Sequence, residues 1–174
     1  LNAVLNNDVS QVKLLLGQQI DVYIQDKQGR NALHSASYNG YVSIVELLIE
    51  YGMELNEKNY EGETALRWAC CEGHIKIVSL LLTHGADPNT DTGIKPLQLA
   101  IMDSNLEIVK LLLAYGAHIE AQDKQGWTAL HYAAQQRDIE ILQLLLETGA
   151  DVHAKNDTGK TPLFLAASDG RIDN

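Results

Sequence analysis

The apolar residues of the chain fall into a pattern that repeats along its 174 residues. Four runs consist almost entirely of branched aliphatic residues with scattered charges: VSIVELLIEY, IKIVSLLLTH, LEIVKLLLAY and IEILQLLLET. Their apolar positions cover far more than one narrow helical stripe, so each run predicts a helix that is buried on several sides. A shorter apolar run precedes each of them, and a glycine followed by a polar stretch comes after each, which predicts pairs of helices joined by turns.

The short first run of each pair begins at the same kind of position. Aligned on that position, the units start at Asn31, Thr64, Lys95, Thr128 and Thr161, with steps of 33, 31, 33 and 33 residues. Threonine and asparagine accept hydrogen bonds from the free N–H groups of a first helical turn. Pro96 and Pro162 follow at the first helical position, where proline is tolerated. Nine residues after the start, a glycine ends the helix in three units, and Ser104 and Arg137 replace it in the others.

A fixed period of this length predicts an all-α solenoid whose helix pairs are joined by turns, here called fingers, since no single unit could bury its own apolar surface. We expect about six units, four full and two partial, in one domain spanning 1–174. Their bounds are about 1–30, 31–63, 64–94, 95–127, 128–160 and 161–174. The joint between Gly85 and Lys95 is two residues shorter than its counterparts, which predicts a blunted finger at 88–93.

The period, the heads TALH and TPLF, the LLL tails and the joints GADVH and GADPN together resemble the ankyrin repeat over essentially the whole chain. The resemblance implies an L-shaped unit of two antiparallel helices whose finger projects as a turn or short β-hairpin, and it implies that these units stack into a gently curved solenoid. Departures are local: Lys95 replaces the capping threonine, Gln19 replaces a glycine, and Arg67, Gln98 and Phe164 replace the usual histidine.

Composition and charge narrow the classes of partner. The net charge of −10 argues against nucleic acid and anionic lipid surfaces and favours proteins with basic segments. No stretch is apolar enough to insert into a membrane. The only cysteines, Cys70 and Cys71, are adjacent, which is poor disulfide geometry and favours a reducing compartment, the cytoplasm or nucleus. We expect a monomer.

Candidate catalytic or metal-binding residues have simpler interpretations. His34 and His131 occupy the repeated head position, where the resemblance implies a hydrogen bond between neighbouring turns. Cys70, Cys71 and His74 form C-C-x-x-H, an alternative zinc fragment, but structural zinc needs four ligands and no second pair follows. Phosphate loops and nucleophile elbows are absent from the sequence, so we expect no enzyme, cofactor or metal.

The residues that vary while the scaffold repeats indicate a binding surface. In the resembling family, the inner groove is lined by finger tips and by first-helix positions four, seven and eight after the head. That register gives Arg30, Tyr38, Asn39, Tyr60, Glu61, Glu63, Trp68, Glu72, Met102, Asp103, Trp127, Tyr132, Gln135 and Gln136. Aromatic anchors are typical of protein interfaces. In the alternative interpretation, Trp68 and Tyr132 are half-buried scaffold residues.

The sequence therefore predicts a non-catalytic module that binds a protein segment with a basic centre in an acidic groove. The alternative is the targeting or substrate-recruiting domain of a larger enzyme or a secreted host-directed effector, since the sequence leaves open what lies before Leu1 and after Asn174. Asn56, preceded by Leu48, Glu54 and Leu55, also resembles the finger asparagine hydroxylated in many ankyrin proteins. Its alternative role is a hydrogen bond across the turn.

Overall fold

The computed structural model of the chain describes residues 1–18, 21–90 and 93–168. The described residues form eleven α-helices and no strand. In chain order the helices are α1 Asn2–Leu5, α2 Val9–Leu16, α3 Ala32–Tyr38, α4 Val42–Glu50, α5 Ala65–Cys71, α6 Ile75–Thr83, α7 Pro96–Met102, α8 Leu106–Ala114, α9 Ala129–Gln136, α10 Ile139–Glu147 and α11 Pro162–Ser168. None of these helices is long and apolar enough to cross a membrane.

The helices are arranged in two compact units, Leu1–Thr92 with α1 to α6 and Gly93–Asn174 with α7 to α11. In the first unit, α3 packs on α4, α5 packs on α6, and the short helices α3 and α5 lie side by side. In the second unit, α7 and α9 pack on α8 and α10 respectively, and α7, α9 and α11 are neighbours in that order. The expected all-α ankyrin fold of stacked helix pairs is confirmed, and the single domain spanning 1–174 stays a prediction.

The short helices begin as the repeated heads predict. The Asn31 side chain accepts a hydrogen bond from the backbone N–H of His34 at 3.1 Å, and the Thr64 hydroxyl accepts one from Arg67 at 3.3 Å. Lys95 has no side-chain oxygen, and there the Oε1 of Gln98 reaches back to the backbone N–H of Lys95 at 2.8 Å. A free donor of the first turn is thus satisfied even where the capping residue is replaced.

The same helices end in the left-handed backbone region. Gly40 and Gly73 have φ values of 75° and 69° there, and Ser104 and Arg137 adopt 50° and 60° at the equivalent positions. A residue with a Cβ is strained in this region by about 1–2 kcal/mol. The repeat therefore imposes its backbone even on the units that have lost the glycine.

The core of each unit lies between the short and long helices. In the first unit Ile44, Leu48, Ile77 and Leu81 are at most 1% exposed. In the second unit, Ile108, Leu112, Ile141 and Leu145 have no exposed surface. These are the inward positions of the branched aliphatic runs, so the long helices are anchored by residues at i and i+4.

The fingers are turns held by backbone hydrogen bonds. The N–H of Asp26 donates to the carbonyl of Arg30 at 2.9 Å, and the other described fingers repeat this bond. Neighbouring fingers are tied as well, since the N–H of Tyr60 donates to the carbonyl of Gln28 at 3.0 Å. Two residues of the finger at 88–93, Asp91 and Thr92, lie outside the described residues, so its blunted shape stays a prediction. The glycine replacement Gln19 lies outside them too.

Candidate protein-binding groove

The head histidines connect neighbouring turns. His34 donates from Nε2 to the carbonyl of Glu63 at 3.0 Å, and His131 donates to the carbonyl of Lys160 at 3.0 Å. Burial lowers the pKa of His34, although the Glu63 carbonyl opposes that shift. Gln98 replaces a head histidine and makes the equivalent bond, since its Nε2 donates to the carbonyl of Trp127 at 2.8 Å. These side chains hold the scaffold, and they are buried too deeply to act on a substrate.

Arg67, which also replaces a head histidine but carries a charge, behaves differently. Its Nη1 lies 2.6 Å from Oε1 of Glu63, whose Oε2 accepts a hydrogen bond from Asn59 at 3.1 Å. Glu63 is only 9% exposed. Glu63, expected as part of an acidic groove, is therefore mostly buried, because Arg67, four residues later, pairs with its carboxylate.

Two aromatic side chains form a corner in the first unit. The rings of Tyr38 and Trp68 are perpendicular, with an interplanar angle of 87° and centroids 5.0 Å apart. Tyr38 is 44% exposed, whereas Trp68 is half-buried. The indole N–H of Trp68 is buried and has no hydrogen-bond partner among the described residues. Beside the corner lies a cavity of about 250 Å³, lined by Leu5, Arg30, Ser35, Asn39 and the two rings.

Exposed acidic residues precede and follow α5, the helix that carries Trp68. Glu72 is exposed one turn beyond Trp68, as the last residue before Gly73. At the finger tip, Glu61 is exposed and Tyr60 is 74% exposed. The Tyr60 ring covers Gly29, where an added Cβ would come within 2.6 Å of the ring. Glu61 and Glu72 are thus exposed carboxylates on the same segment of chain as the rings of Tyr60 and Trp68.

The predicted anchor of the second unit is mostly covered. Tyr132 is 9% exposed, and its hydroxyl donates to Oδ2 of Asp123 at 2.5 Å. Burial, and then the hydrogen bond to Asp123, raise the pKa of Tyr132 well above its ordinary value. The half-buried Trp127 ring packs on Tyr132 with centroids 5.1 Å apart. Tyr132 has the burial that its scaffold interpretation requires, and Trp127 is the more accessible of the two rings.

The remaining predicted groove residues of the second unit are on the surface. Met102 is 38% exposed, and Asp103, Gln135 and Gln136 are exposed. Met102 and Gln135 occupy the position of Tyr38 in the first unit, and Asp103 and Gln136 occupy that of Asn39 and Glu72, all at or just after the last turn of α7 or α9. This unit therefore offers a more polar surface than the corner formed by Tyr38 and Trp68.

The cysteine pair lies on α5. Cys70 is completely buried and burial raises its thiol pKa, while Cys71 is half-buried. Among the described residues, no three histidine, cysteine or acidic side chains are grouped as a metal ion would need. Cys70 therefore fills space in the core, at the position that Ala134 takes in the second unit.

Comparison with known families decides the identity. The family model described as ankyrin repeats (3 copies) matches residues 1–92 and 87–156. The chain belongs to the ankyrin repeat family. Ankyrin repeats are a protein–protein interaction module.

Curated ankyrin repeat relatives match over a shorter stretch. The chain is 50% identical over 42 residues to protein phosphatase 1 regulatory subunit 27 from Homo sapiens, which is 24% of this chain and 27% of that protein. It is 48% identical over 42 residues to Notch-regulated ankyrin repeat-containing protein A from Danio rerio, or 24% of this chain and 38% of that protein. The matched part thus spans well under half of these relatives.

Sequence reasoning missed the residues that position the site side chains of this ankyrin repeat chain. Asp26 binds Nε and Nη2 of Arg30, each at 2.7 Å, and Asp123 binds the hydroxyl of Tyr132. Both aspartates open the finger motif D-K-Q-G, which occurs twice in the sequence. The sequence did contain a signal for these contacts, because a carboxylate recurs at the first position of the finger. Interpreting the motif only as a turn assigned that carboxylate no contact with a groove residue.

Proposed function

We propose that this ankyrin repeat chain is a non-catalytic module that binds a segment of a partner protein on its groove residues, and that the segment has a basic centre. The observation that carries the proposal is the corner formed by the exposed Tyr38 and the half-buried Trp68, with the exposed carboxylates Glu61 and Glu72 on the segment of chain that carries Trp68. Solvent-accessible aromatic rings on a scaffold that does not need them are the usual anchors of protein interfaces.

Charge supports the basic character of the partner. The chain carries a net charge of −10, and Glu61 and Glu72 in the first unit and Asp103 in the second are exposed. Exposed carboxylates attract a basic segment during encounter, and they influence the association rate more than the lifetime of the complex. Glu63 is left out of this role because Arg67 neutralises it.

The second candidate is a recruiting role for a larger enzyme. It is favoured by one relative, which is named as a regulatory subunit of protein phosphatase 1. In that case the groove would bring an enzyme and its substrate together, in trans or within one polypeptide. The full open reading frame separates the two candidates, because a catalytic domain in the same polypeptide would favour recruitment. For either role we propose a monomer in the cytoplasm or nucleus, where free thiols such as Cys70 and Cys71 persist.

The decisive experiment measures affinity and stability on the same variants. A partner is first isolated with the folded chain, and its affinity is then measured by calorimetry for Trp68→Ala and Tyr38→Ala. We expect each substitution to weaken binding by about 2 kcal/mol, as interface anchors do. The matched control is Tyr51→Ala, because Tyr51 is 40% exposed but lies at the end of α4, away from the predicted groove.

The same variants identify a scaffold role. If Trp68→Ala lowers the melting temperature and leaves affinity unchanged, Trp68 supports the fold and the groove assignment fails. Charge reversal provides a second readout: Glu72→Lys should slow association and weaken its salt dependence, and Glu50→Lys, on the exposed side of α4, should not.

A further inference from the structure

The residues that line the cavity beside the aromatic corner determine which kind of side chain can bind there. We propose that it is a subsite for one large, uncharged apolar side chain of an extended partner segment, whose flanking backbone groups bond to Arg30 and Asn39. The inference rests on the proposed function and specifies one residue of the bound segment. All the residues involved belong to the unit Leu1–Thr92.

The walls of the cavity favour an apolar occupant. Tyr38 and Trp68 form two perpendicular walls, and Leu5, which is 53% exposed, forms a third. Its volume of about 250 Å³ is enough for one large side chain and too small for a folded element. Covering these surfaces removes apolar area from water, which stabilises the complex in proportion to that area.

The charges at the rim disfavour an ionised occupant of either sign. Arg30 lines the cavity, and its positive charge disfavours a cation there. Its guanidinium is already paired with Asp26, from Nε and Nη2 to Oδ2, both at 2.7 Å. A carboxylate would therefore meet a neutralised pair with Asp26 close by, and would lose its own hydration without a free cation in return.

The polar atoms left over at the rim match a peptide backbone. Among the described residues, Nη1 of Arg30 has no hydrogen-bond partner and can donate to a carbonyl. Asn39 donates from Nδ2 to the carbonyl of Ser35 at 2.8 Å, and its Oδ1 has no donor among the described residues. One free donor and one free acceptor thus border an apolar cavity, which is the pattern that a residue in an extended chain presents.

The exposed carboxylate of Glu72 favours a basic residue close to the apolar one in the bound segment. Glu72 follows Trp68 by one helical turn, at the end of α5, and is exposed. A basic residue close in sequence to the apolar one would reach it. The bound segment therefore combines a large neutral side chain with a nearby lysine or arginine.

Three small probes test the subsite without a partner. N-acetylphenylalaninamide is neutral and carries backbone donors and acceptors, N-acetylphenylalanine adds a carboxylate, and phenylalaninamide adds an ammonium group. Each is titrated into the full chain at physiological salt, and the indole N–H signal of Trp68 is followed by NMR. Trp127→Phe assigns that signal, and in the unmodified chain Trp127 reports non-specific binding.

We expect the neutral amide to shift the Trp68 signal in a saturable way and to bind about fivefold more tightly than either charged probe. Tyr38→Ala should weaken the neutral probe at least about fivefold, while Tyr51→Ala leaves it unchanged. Arg30→Gln, which removes the Nη1 donor outside any helix, should weaken it by a smaller factor.

Equal or tighter binding of a charged probe would overturn the inference, as would an unchanged titration of the folded Tyr38→Ala variant or equal shifts at Trp68 and Trp127. Such failures would concern the subsite alone. The proposed function fails on a separate result, namely partner affinity that survives Trp68→Ala and charge reversal at Glu72.

Discussion

Replacing Tyr132 by phenylalanine removes a single buried hydroxyl and tests how the second unit is held together. That hydroxyl donates to Oδ2 of Asp123 at 2.5 Å, while Oδ1 accepts from the backbone N–H groups of Gln125 at 2.8 Å and Trp127 at 2.9 Å. A hydrogen bond to a charged acceptor contributes about 1.5–3 kcal/mol. Because Asp123 is half-buried and keeps its two backbone bonds, we expect Tyr132→Phe to lower the free energy of unfolding by about 1.5–2 kcal/mol at pH 7.

The expected pH dependence follows from the raised pKa of Tyr132. Burial comes first and the Asp123 bond second among its causes, so the folded state retains the phenol proton beyond the ordinary range. The unfolded chain releases that proton near pH 10. The stabilisation from the neutral phenol is therefore complete below about pH 10. Above it, the stabilisation falls by about 1.4 kcal/mol per pH unit until the folded phenol also ionises.

Urea unfolding at pH 7 and pH 11 measures both effects. Trp127 packs on Tyr132, so its fluorescence in a Trp68→Phe background reports the second unit. The gap between the parent and Tyr132→Phe should shrink by about 1.4 kcal/mol from pH 7 to pH 11. Tyr51→Phe controls for the loss of an exposed phenol. No gap at pH 7, or a gap that is the same at both pH values, would refute this account of the Tyr132 hydroxyl.

Three further outcomes are expected. Arg137→Gly should raise the free energy of unfolding by about 0.5–1 kcal/mol in urea titrations, because Arg137 is exposed and strained at φ 60°; lower stability would contradict the strain. Amides at 164–167 should exchange with deuterium faster than those at 111–113, since no second helix covers α11 among the described residues, and equal protection would contradict this. In an animal host, incubation with the factor-inhibiting asparaginyl hydroxylase should add one oxygen to Asn56. The Oδ1 of Asn56 accepts a hydrogen bond from the backbone N–H of Asp87 at 2.8 Å. If bridging these turns is its only role, mass spectrometry will show an unmodified Asn56 peptide.

Periodicity was sufficient to predict the fold because it reports backbone position. The heads at Asn31 and Thr64 begin helices, and the ninth-position residues end them, including Arg137, whose side chain does not favour the backbone it adopts. The repeat also predicts which residues of the long helices are buried, since inward positions such as Ile44 and Leu48 recur at helical spacing.

The details of the groove could not be predicted from spacing in the same way. Spacing places the Cα atom of a variable residue, while its exposure depends on which polar atoms its side chain can reach. Glu63 is in the predicted register but buried, because Arg67 replaces a histidine that would have bonded elsewhere. Tyr132 is in the register of Trp68, but its hydroxyl finds a carboxylate in the preceding finger.

Two positions of the repeat explain why Tyr132 has a hydrogen-bond partner in the scaffold and Trp68 does not. The first residue of a finger and the residue nine positions later pair as Asp26 with Ser35, Asn59 with Trp68, Asp123 with Tyr132 and Asn156 with Leu165. Asp123 has a free carboxylate oxygen, so it accepts from Tyr132 and draws the phenol into the scaffold.

The side chain of Asn59 has no acceptor left for the indole N–H of Trp68. Its Oδ1 already accepts from the backbone N–H groups of Glu61 and Glu63, and its Nδ2 donates to the Glu63 carboxylate. The indole N–H of Trp68 is therefore left buried without a partner among the described residues. An unsatisfied buried donor costs free energy and is rare in native proteins. The chain retains one where Trp68 meets the exposed ring of Tyr38, which is what we expect of a residue kept for contact with a partner and not for the stability of its own fold.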